Sequence, residues 1–407
     1  MKLLRWIYQN NRVTVTISTL VAMIFLYAFF VYVIPTLSGQ SIVGSYDAFT
    51  YAFNMEEDRE MARELQPFLG AYPGGLSKSV LPIYAMVLHL ALMALPLQLI
   101  RKSEGRNTLL ALLGALMIPE SAIFLGAVSK EGLAIVAVVA ALAGQAAFFD
   151  GRTKSAFLLS VYAIALAQYS RPGFGFPFGV AVLAAYFPCL RMKTRYQIVV
   201  TAVVALFFVV WSILAGPFEE RFTEAYQIAQ TFLVWFEENM GSESPIKSAV
   251  RYFFSLAFGS DSPTLLTLAL IAVMAVLKAV VYFFAIPLVS LADFTDMPAQ
   301  TWALTWQFAC SMSTFVMVVG VYRVYRSKLE LTLRDKSRLW FGFSLIFLIS
   351  ISTAIFHVRY RAPAVVVVVF ALWAIRSPSW VLFFMTVPAL GASFWAILTT
   401  LSDLYLN

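Results

Sequence analysis

Apolar residues recur along this chain in blocks of about 20, the length a helix needs to cross about 30 Å of hydrocarbon at 1.5 Å per residue. The blocks run over residues 13–37, 79–100, 107–127, 132–149, 155–170, 174–190, 197–215, 302–322, 339–357, 363–376 and 379–402. Each is apolar all round and rich in Leu, Ala, Val and Phe, without the alternation of a membrane barrel strand, so the pattern predicts helices. Pro119 and Glu120 interrupt the third block. Such a break belongs where backbone lines a cavity or is covered by other helices. The stretch from Val13 to Leu37 is too long for the core of a signal peptide, and no small-x-small site follows it, so it reads as a first span.

Two polar stretches stand out between the blocks. Residues 38–77 form an acidic first outer loop, with a short amphipathic helix predicted over Asp47 to Gln66 and a turn region at Pro67, Pro73, Gly74 and Gly75. Residues 216–262 are too polar to cross. In them Phe218, Phe222, Ala225, Ala229, Phe232 and Phe236 recur at helical spacing among glutamates, which predicts a helix lying in the outer interface.

Charge sets the orientation. Basic residues sit in short loops, at Lys2, Arg5 and Arg12, at Arg101, Lys102 and Arg106, at Arg152 and Lys154, at Arg191, Lys193 and Arg195, and in a basic loop over 323–338. The positive-inside rule makes these loops and the N-terminus cytoplasmic. The number of crossings between Gly216 and Tyr322 must then be odd, which leaves two solutions. Either the apolar stretch 264–291 is re-entrant or interfacial around Lys278, or residues 246–260 also insert. The expected fold is all-α: one integral membrane domain over 1–407, a polytopic bundle of about 11 or 12 spans with amphipathic helices on its outer face.

Composition narrows the function classes. With 61% apolar and 13% charged residues, the chain is not a water-soluble domain. The net charge of +7 resides in the loops just named, which argues against nucleic acid as a partner. Cys189 and Cys310 lie in or beside apolar stretches with no CxxC and no His/Cys cluster, so neither a disulfide framework nor a zinc site is expected. There is no P-loop, and no cofactor is expected.

The candidate chemistry lies at the outer ends of the spans, where the topology places Asp47, Glu120, Lys130, Glu131, Arg171, His357, Arg359 and Arg361. Ionisable groups at membrane depth are expensive, and they serve a ligand, a relay or a structural pair. A lone Arg at a helix end more often snorkels to the interface, and convergence of several is what favours a site. Three patterns contribute. Ser129-Lys130-Glu131-Gly132 opens a helix after the proline break, where a helix N-terminus with an adjacent Lys suits an anion. The competing reading there is a solvated cap, with Ser129 as N-cap and Glu131 in the first turn. Ser170-Arg171-Pro172-Gly173 sets one Arg at a tight outside turn, either to clamp a phosphate or to anchor the turn. His357-Val358-Arg359-Tyr360-Arg361-Ala362-Pro363 packs two Arg and a His between two spans on the outer side. Something negative must compensate them, either an anionic ligand or a carboxylate such as Asp47 or Glu131. His89, alone on an apolar span, reads as a satisfied packing residue.

In these features the chain resembles bacterial polysaccharide polymerases of the Wzy type and the wider GT-C class of polyprenyl-dependent glycosyltransferases. The likeness rests on the Ser-Lys-Glu after a proline-broken third span, the isolated Arg171, the long outer loop and the late His-x-Arg-Tyr-Arg-x-Pro. Asp47 occupies the place of the acidic residue that GT-C enzymes carry in the first outer loop. No Asp-Glu or Asp-x-Asp pair accompanies it, so the implied enzyme is metal-independent.

The resemblance implies an enzyme of the bacterial inner membrane that joins undecaprenyl-pyrophosphate-linked oligosaccharide units at the periplasmic face. A hydroxyl of one attacks the anomeric carbon of another. Lys130, Arg171, Arg251, Arg359, Tyr360 and Arg361 would bind substrate and steady the leaving diphosphate. Asp47, Glu131 or His357 would be the base. The Phe-rich helix over 218–236 is placed to cover the isoprenoid tail. Implied partners are the lipid-linked oligosaccharide and membrane lipids, with room for a chain-length regulator. The alternative is a transporter or flippase of lipid-linked saccharide using the same charges, against which no internal repeat is found.

Overall fold

The computed structural model describes residues 12–28, 47–73, 76–77, 80–190, 196, 252, 297–326, 330–352 and 358–374. Among these residues the chain is helical, with no strand. The expected span over 197–215, the interfacial helix over 218–236, the alternatives for 246–291 apart from residue 252, and the last block at 379–402 lie outside the described residues.

The helices follow the apolar blocks, and their ends follow local chemistry. Helix α1 spans Arg12–Ala28. The amphipathic stretch after Asp47 divides into α2 (Asp47–Glu57) and α3 (Arg59–Leu65), because the Asp58 carboxylate accepts a hydrogen bond from the Met61 N–H and starts a new helix there. A 3-10 turn over Pro67–Ala71 follows. Helix α4 (Leu81–Glu104) ends with Arg101 and Lys102 in its last turn and stops at Gly105, whose φ of 87° suits glycine. The third block is two helices, α5 (Arg106–Leu116) and α6 (Pro119–Leu125). Pro119 bars the residue before it from helical geometry, and Ile118 accordingly sits at φ −57°, ψ 132°.

Next come α7 (Lys130–Phe149), α8 (Thr153–Ser170) and α9 (Gly175–Ala184), then α10 (Met297–Arg326), α11 (Leu333–Ser352) and α12 (Ala362–Ala374). Helices α4 and α7 are each long and apolar enough to cross a membrane.

Helices α7 and α12 form the centre. Every residue from Glu131 to Ala147 of α7 is buried, and so is every residue from Ala362 to Leu372 of α12. A helix that is apolar all round must be covered on every side. Accordingly α7 packs against α4, α8 and α12, while α12 also packs against α5, α10 and α11. The run of valines at 365–369 is helical although β-branched residues are mediocre helix formers, so packing overrides propensity there. Gly342 lets α11 approach closely: a Cβ there would lie 2.8 Å from Cγ2 of Val368.

The charged residues collect at the two ends of α7, about 30 Å apart at its helical rise. At the C-terminal end, Arg338 pairs with Glu104, and Arg334 reaches Glu104 at 3.8 Å and Asp150 at 3.4 Å. Arg152 binds Asp150 at 3.0 Å and donates to Ser103. This network joins the C-terminal ends of α4 and α7 to the starts of α8 and α11. The N-terminal end of α7 carries a different set of groups.

Candidate active site

Ser129 positions the first of these groups. Its Oγ accepts from the Gly132 N–H at 3.1 Å and donates to the Phe124 carbonyl at 3.3 Å, so it caps α7 and ties α7 to α6. The cap expected from sequence is present, but it is buried rather than solvated. It sets Lys130 and Glu131 in the first turn, with Glu131 only 5% exposed.

Arg171 comes from the other side. Helix α8 ends at Ser170, and the turn closes with a bond from the Phe174 N–H to the Arg171 carbonyl at 2.9 Å, with Gly173 at φ 83°. The Arg171 guanidinium lies 4.5 Å from the centre of the Tyr360 ring, and Nζ of Lys130 lies 5.9 Å from it. Two cations from separate helices thus share one aromatic ring, an arrangement the negative face of the ring favours. Tyr360, in the 3-10 turn Val358–Arg361, is buried.

Lys130, Glu131, Ser170, Arg171, Phe174 and Tyr360 line one cavity of about 30 Å³. That is room for only about two water-sized atoms. Any ligand larger than a few atoms would lie mostly outside it.

Arg361 is turned elsewhere. Its Nε and Nη2 each donate to a carboxylate oxygen of Glu120 at 2.8 Å, Nη2 also donates to the Cys310 carbonyl at 2.8 Å, and Nη1 donates to Thr314 at 3.2 Å. Both partners are fully buried. This pair locks α6, α10 and the start of α12 together. It holds the turn that carries Tyr360. The carboxylate that compensates Arg361 is Glu120, rather than Asp47 or Glu131.

His89 is also fully occupied. The Leu125 carbonyl can only accept, so Nδ1 donates to it at 2.9 Å, which leaves Nε2 to accept from the Tyr72 hydroxyl at 3.1 Å. The pair pins residues 67–72 to α4 and α6. Gly132 is required beside it, because a Cβ there would lie 2.5 Å from Cε1 of His89 and 2.5 Å from the Phe124 carbonyl.

The structure therefore brings together Lys130, Glu131, Arg171 and Tyr360 of the residues singled out from sequence. Asp47 opens α2 and Arg359 lies in the turn before α12, but their side chains lie outside the described set. Arg251 and His357 lie outside the described residues altogether. Sequence reasoning missed Cys310 and Thr314 as partners of Arg361 and the Tyr72 bond to His89. For Glu120 a signal existed: an acidic residue just after a helix-breaking proline at membrane depth demands a buried cation. Among the described residues, no cluster of three or more His, Cys, Asp or Glu side chains is placed to hold a metal ion.

The chain matches no protein-family model, no curated protein and no solved structure.

Proposed function

We propose that this chain is a polytopic protein of the bacterial inner membrane, with about 11 or 12 spans and a cytoplasmic N-terminus. Its activity is the joining of undecaprenyl-pyrophosphate-linked oligosaccharide units at the periplasmic face. The observation that carries this reading is the meeting of Lys130 and Arg171 over Tyr360, beside the buried carboxylate Glu131. Three separate stretches of sequence deliver these groups to one end of the bundle. Two cations and a helix N-terminus make a seat for an anionic head group.

In this reading the acceptor hydroxyl attacks the anomeric carbon, and the bond from that carbon to the diphosphate oxygen breaks. The electron pair leaves with the diphosphate, where Arg171 and Lys130 stabilise the growing charge. Glu131 takes the hydroxyl proton, with Asp47 and His357 as the alternative bases. Arg251 and Arg359 are further cations for the donor. Arg361 serves the site indirectly by fixing the turn of Tyr360.

One observation favours a second reading, that of a flippase of lipid-linked saccharide. The network of Glu104, Asp150, Arg334 and Arg338 closes the opposite end of α7, as an inner gate would. A transporter must open that end, whereas a transferase need not. The deciding experiment uses the full-length chain in vesicles with undecaprenyl-pyrophosphate-linked oligosaccharide. A ladder of lengthened products that Arg171→Ala abolishes is the expected result. No ladder from the unmodified chain overturns the transferase, and a normal ladder in Arg171→Ala overturns the assignment of this site to it. Saccharide movement without lengthening, blocked by a bifunctional crosslink between cysteines placed at 104 and 338, establishes the transporter instead.

A further inference from the structure

Helices α8 and α9 leave an open groove between them, closed at one end by Phe148 of α7, with a volume of about 770 Å³. Its walls are apolar side chains, with Phe157, Val161 and Ile164 on α8 facing Phe176, Gly179 and Leu183 on α9. Phe157 is 69% exposed and Leu183 65% exposed, so the described residues leave these walls largely uncovered. The groove runs from Thr153 to Gln168, about 22 Å along α8 at its helical rise. At that upper end Oε1 of Gln168 accepts from the Gly175 N–H at 3.0 Å, which closes the turn between α8 and α9.

That same turn carries Ser170, Arg171 and Phe174, which line the small cationic cavity. The apolar groove and the anion seat are thus separated by a single turn. Their shapes are complementary to two parts of one molecule. The cavity holds a few anionic oxygens, whereas the groove is long, narrow and without charge.

Resting on the reading above, we propose that the groove between α8 and α9 seats the isoprenoid tail of the lipid whose diphosphate lies against Lys130, Arg171 and Tyr360. The tail leaves the bilayer sideways into the groove while its head turns over the Arg171 to Phe174 turn. Bilayer lipid is as apolar as the groove, so water exclusion adds little and close packing against the walls supplies the preference. The effect is orientation. A tail held along α8 fixes the direction in which the diphosphate presents its anomeric carbon.

Gly179 is the place to test this. A Cβ there would meet only the Ile164 side chain, with Cδ1 at an ordinary 3.4 Å and Cγ1 at 3.7 Å, so a larger side chain extends into the groove. The full-length chain in phosphatidylcholine nanodiscs is titrated with two probes, undecaprenyl diphosphate and inorganic pyrophosphate. Gly179→Trp and, from the opposite wall, Val161→Trp are each expected to weaken undecaprenyl diphosphate by about tenfold, equivalent to roughly 1.4 kcal/mol, and to leave pyrophosphate unchanged. Arg171→Ala is expected to weaken both.

Undiminished undecaprenyl diphosphate binding in both Trp variants, with pyrophosphate still bound, overturns the groove and leaves the anion seat standing. Absence of pyrophosphate binding by the unmodified chain overturns the anion seat and the groove with it. A tail-diazirine analogue gives an independent reading that does not depend on a variant folding. Labelling within 153–168 and 175–186 supports the proposal, and labelling confined to other segments overturns it.

Discussion

Arg361 and Glu120, 241 positions apart in the chain, meet as a bidentate pair with no exposure to solvent, two nitrogens of one reaching two oxygens of the other at 2.8 Å. Removing one partner strands the other as a buried charge. Arg361→Ala or Glu120→Ala is therefore expected to destabilise the protein by about 3–5 kcal/mol. Replacing both with apolar residues of similar size should recover most of that loss. Thermal unfolding of the purified single and double variants, arranged as a double-mutant cycle, measures the coupling.

Arg171 and Tyr360 interact through the face of the ring, which a planar guanidinium matches better than an ammonium. Arg171→Lys is expected to keep part of the anion affinity, and Arg171→Ala to lose about tenfold or more. Tyr360→Phe should be near neutral, because the ring remains, whereas Tyr360→Leu should cost about 0.5–2 kcal/mol of binding. Calorimetric titration with pyrophosphate gives the order. Equal affinities for the Phe and Leu variants would show that the ring has no part in binding.

Gly132 has no room for a side chain between His89 and the Phe124 carbonyl. Gly132→Ala must displace either the imidazole or backbone, and overpacking of this kind costs about 1–3 kcal/mol. A lowered melting temperature is expected, together with looser anion binding, since Lys130 and Glu131 sit in the same helical turn.

Tyr72→Phe removes the hydroxyl that donates to Nε2 of His89 and leaves a buried ring nitrogen without its donor, at a cost of about 1–3 kcal/mol. The consequence should be local, because this bond pins residues 67–72 to the bundle. Limited proteolysis within 47–73 is expected to accelerate while cleavage near α7 does not.

The ionic network at the other end of α7 responds to acid. Burial works against ionisation of Asp150, but hydrogen bonds from Ser103 and Arg152 and the charges of Arg152 and Arg334 outweigh it, so its carboxyl titrates below the ordinary 3.8. A depressed carboxylate contributes stability that is fully present above the unfolded value and is lost as pH falls through the folded one. Melting temperature should therefore drop below about pH 4 by less in Asp150→Asn than in the unmodified chain. Identical acid profiles would mean that this carboxylate has no part in holding the end closed.

Much of the helical layout was legible in the sequence because it depends on neighbours in the chain. The break at Pro119 and the cap at Ser129 each follow from a residue acting within one helical turn. The division of the outer segment at Asp58 was not foreseen, although its side chain bonded to Met61 is an ordinary local cap. Of the candidate site, the sequence picked out Lys130, Arg171 and Tyr360 as substrate-binding residues and Glu131 as a candidate base. It could not say that Arg361 would turn away from them.

Hydropathy and local backbone preference thus settled that the chain is helical, where several helices begin and end, and that charge avoids their middles. These are short-range properties, set by transfer energy and by hydrogen bonds within a few residues. Only tertiary packing decided that Glu120 takes Arg361, that Lys130 and Arg171 meet over one ring, and that Tyr72 satisfies His89. Each of those pairings joins groups from different helices, and which pairs can meet is fixed by how α7 and α12 are enclosed, which no single stretch of sequence specifies.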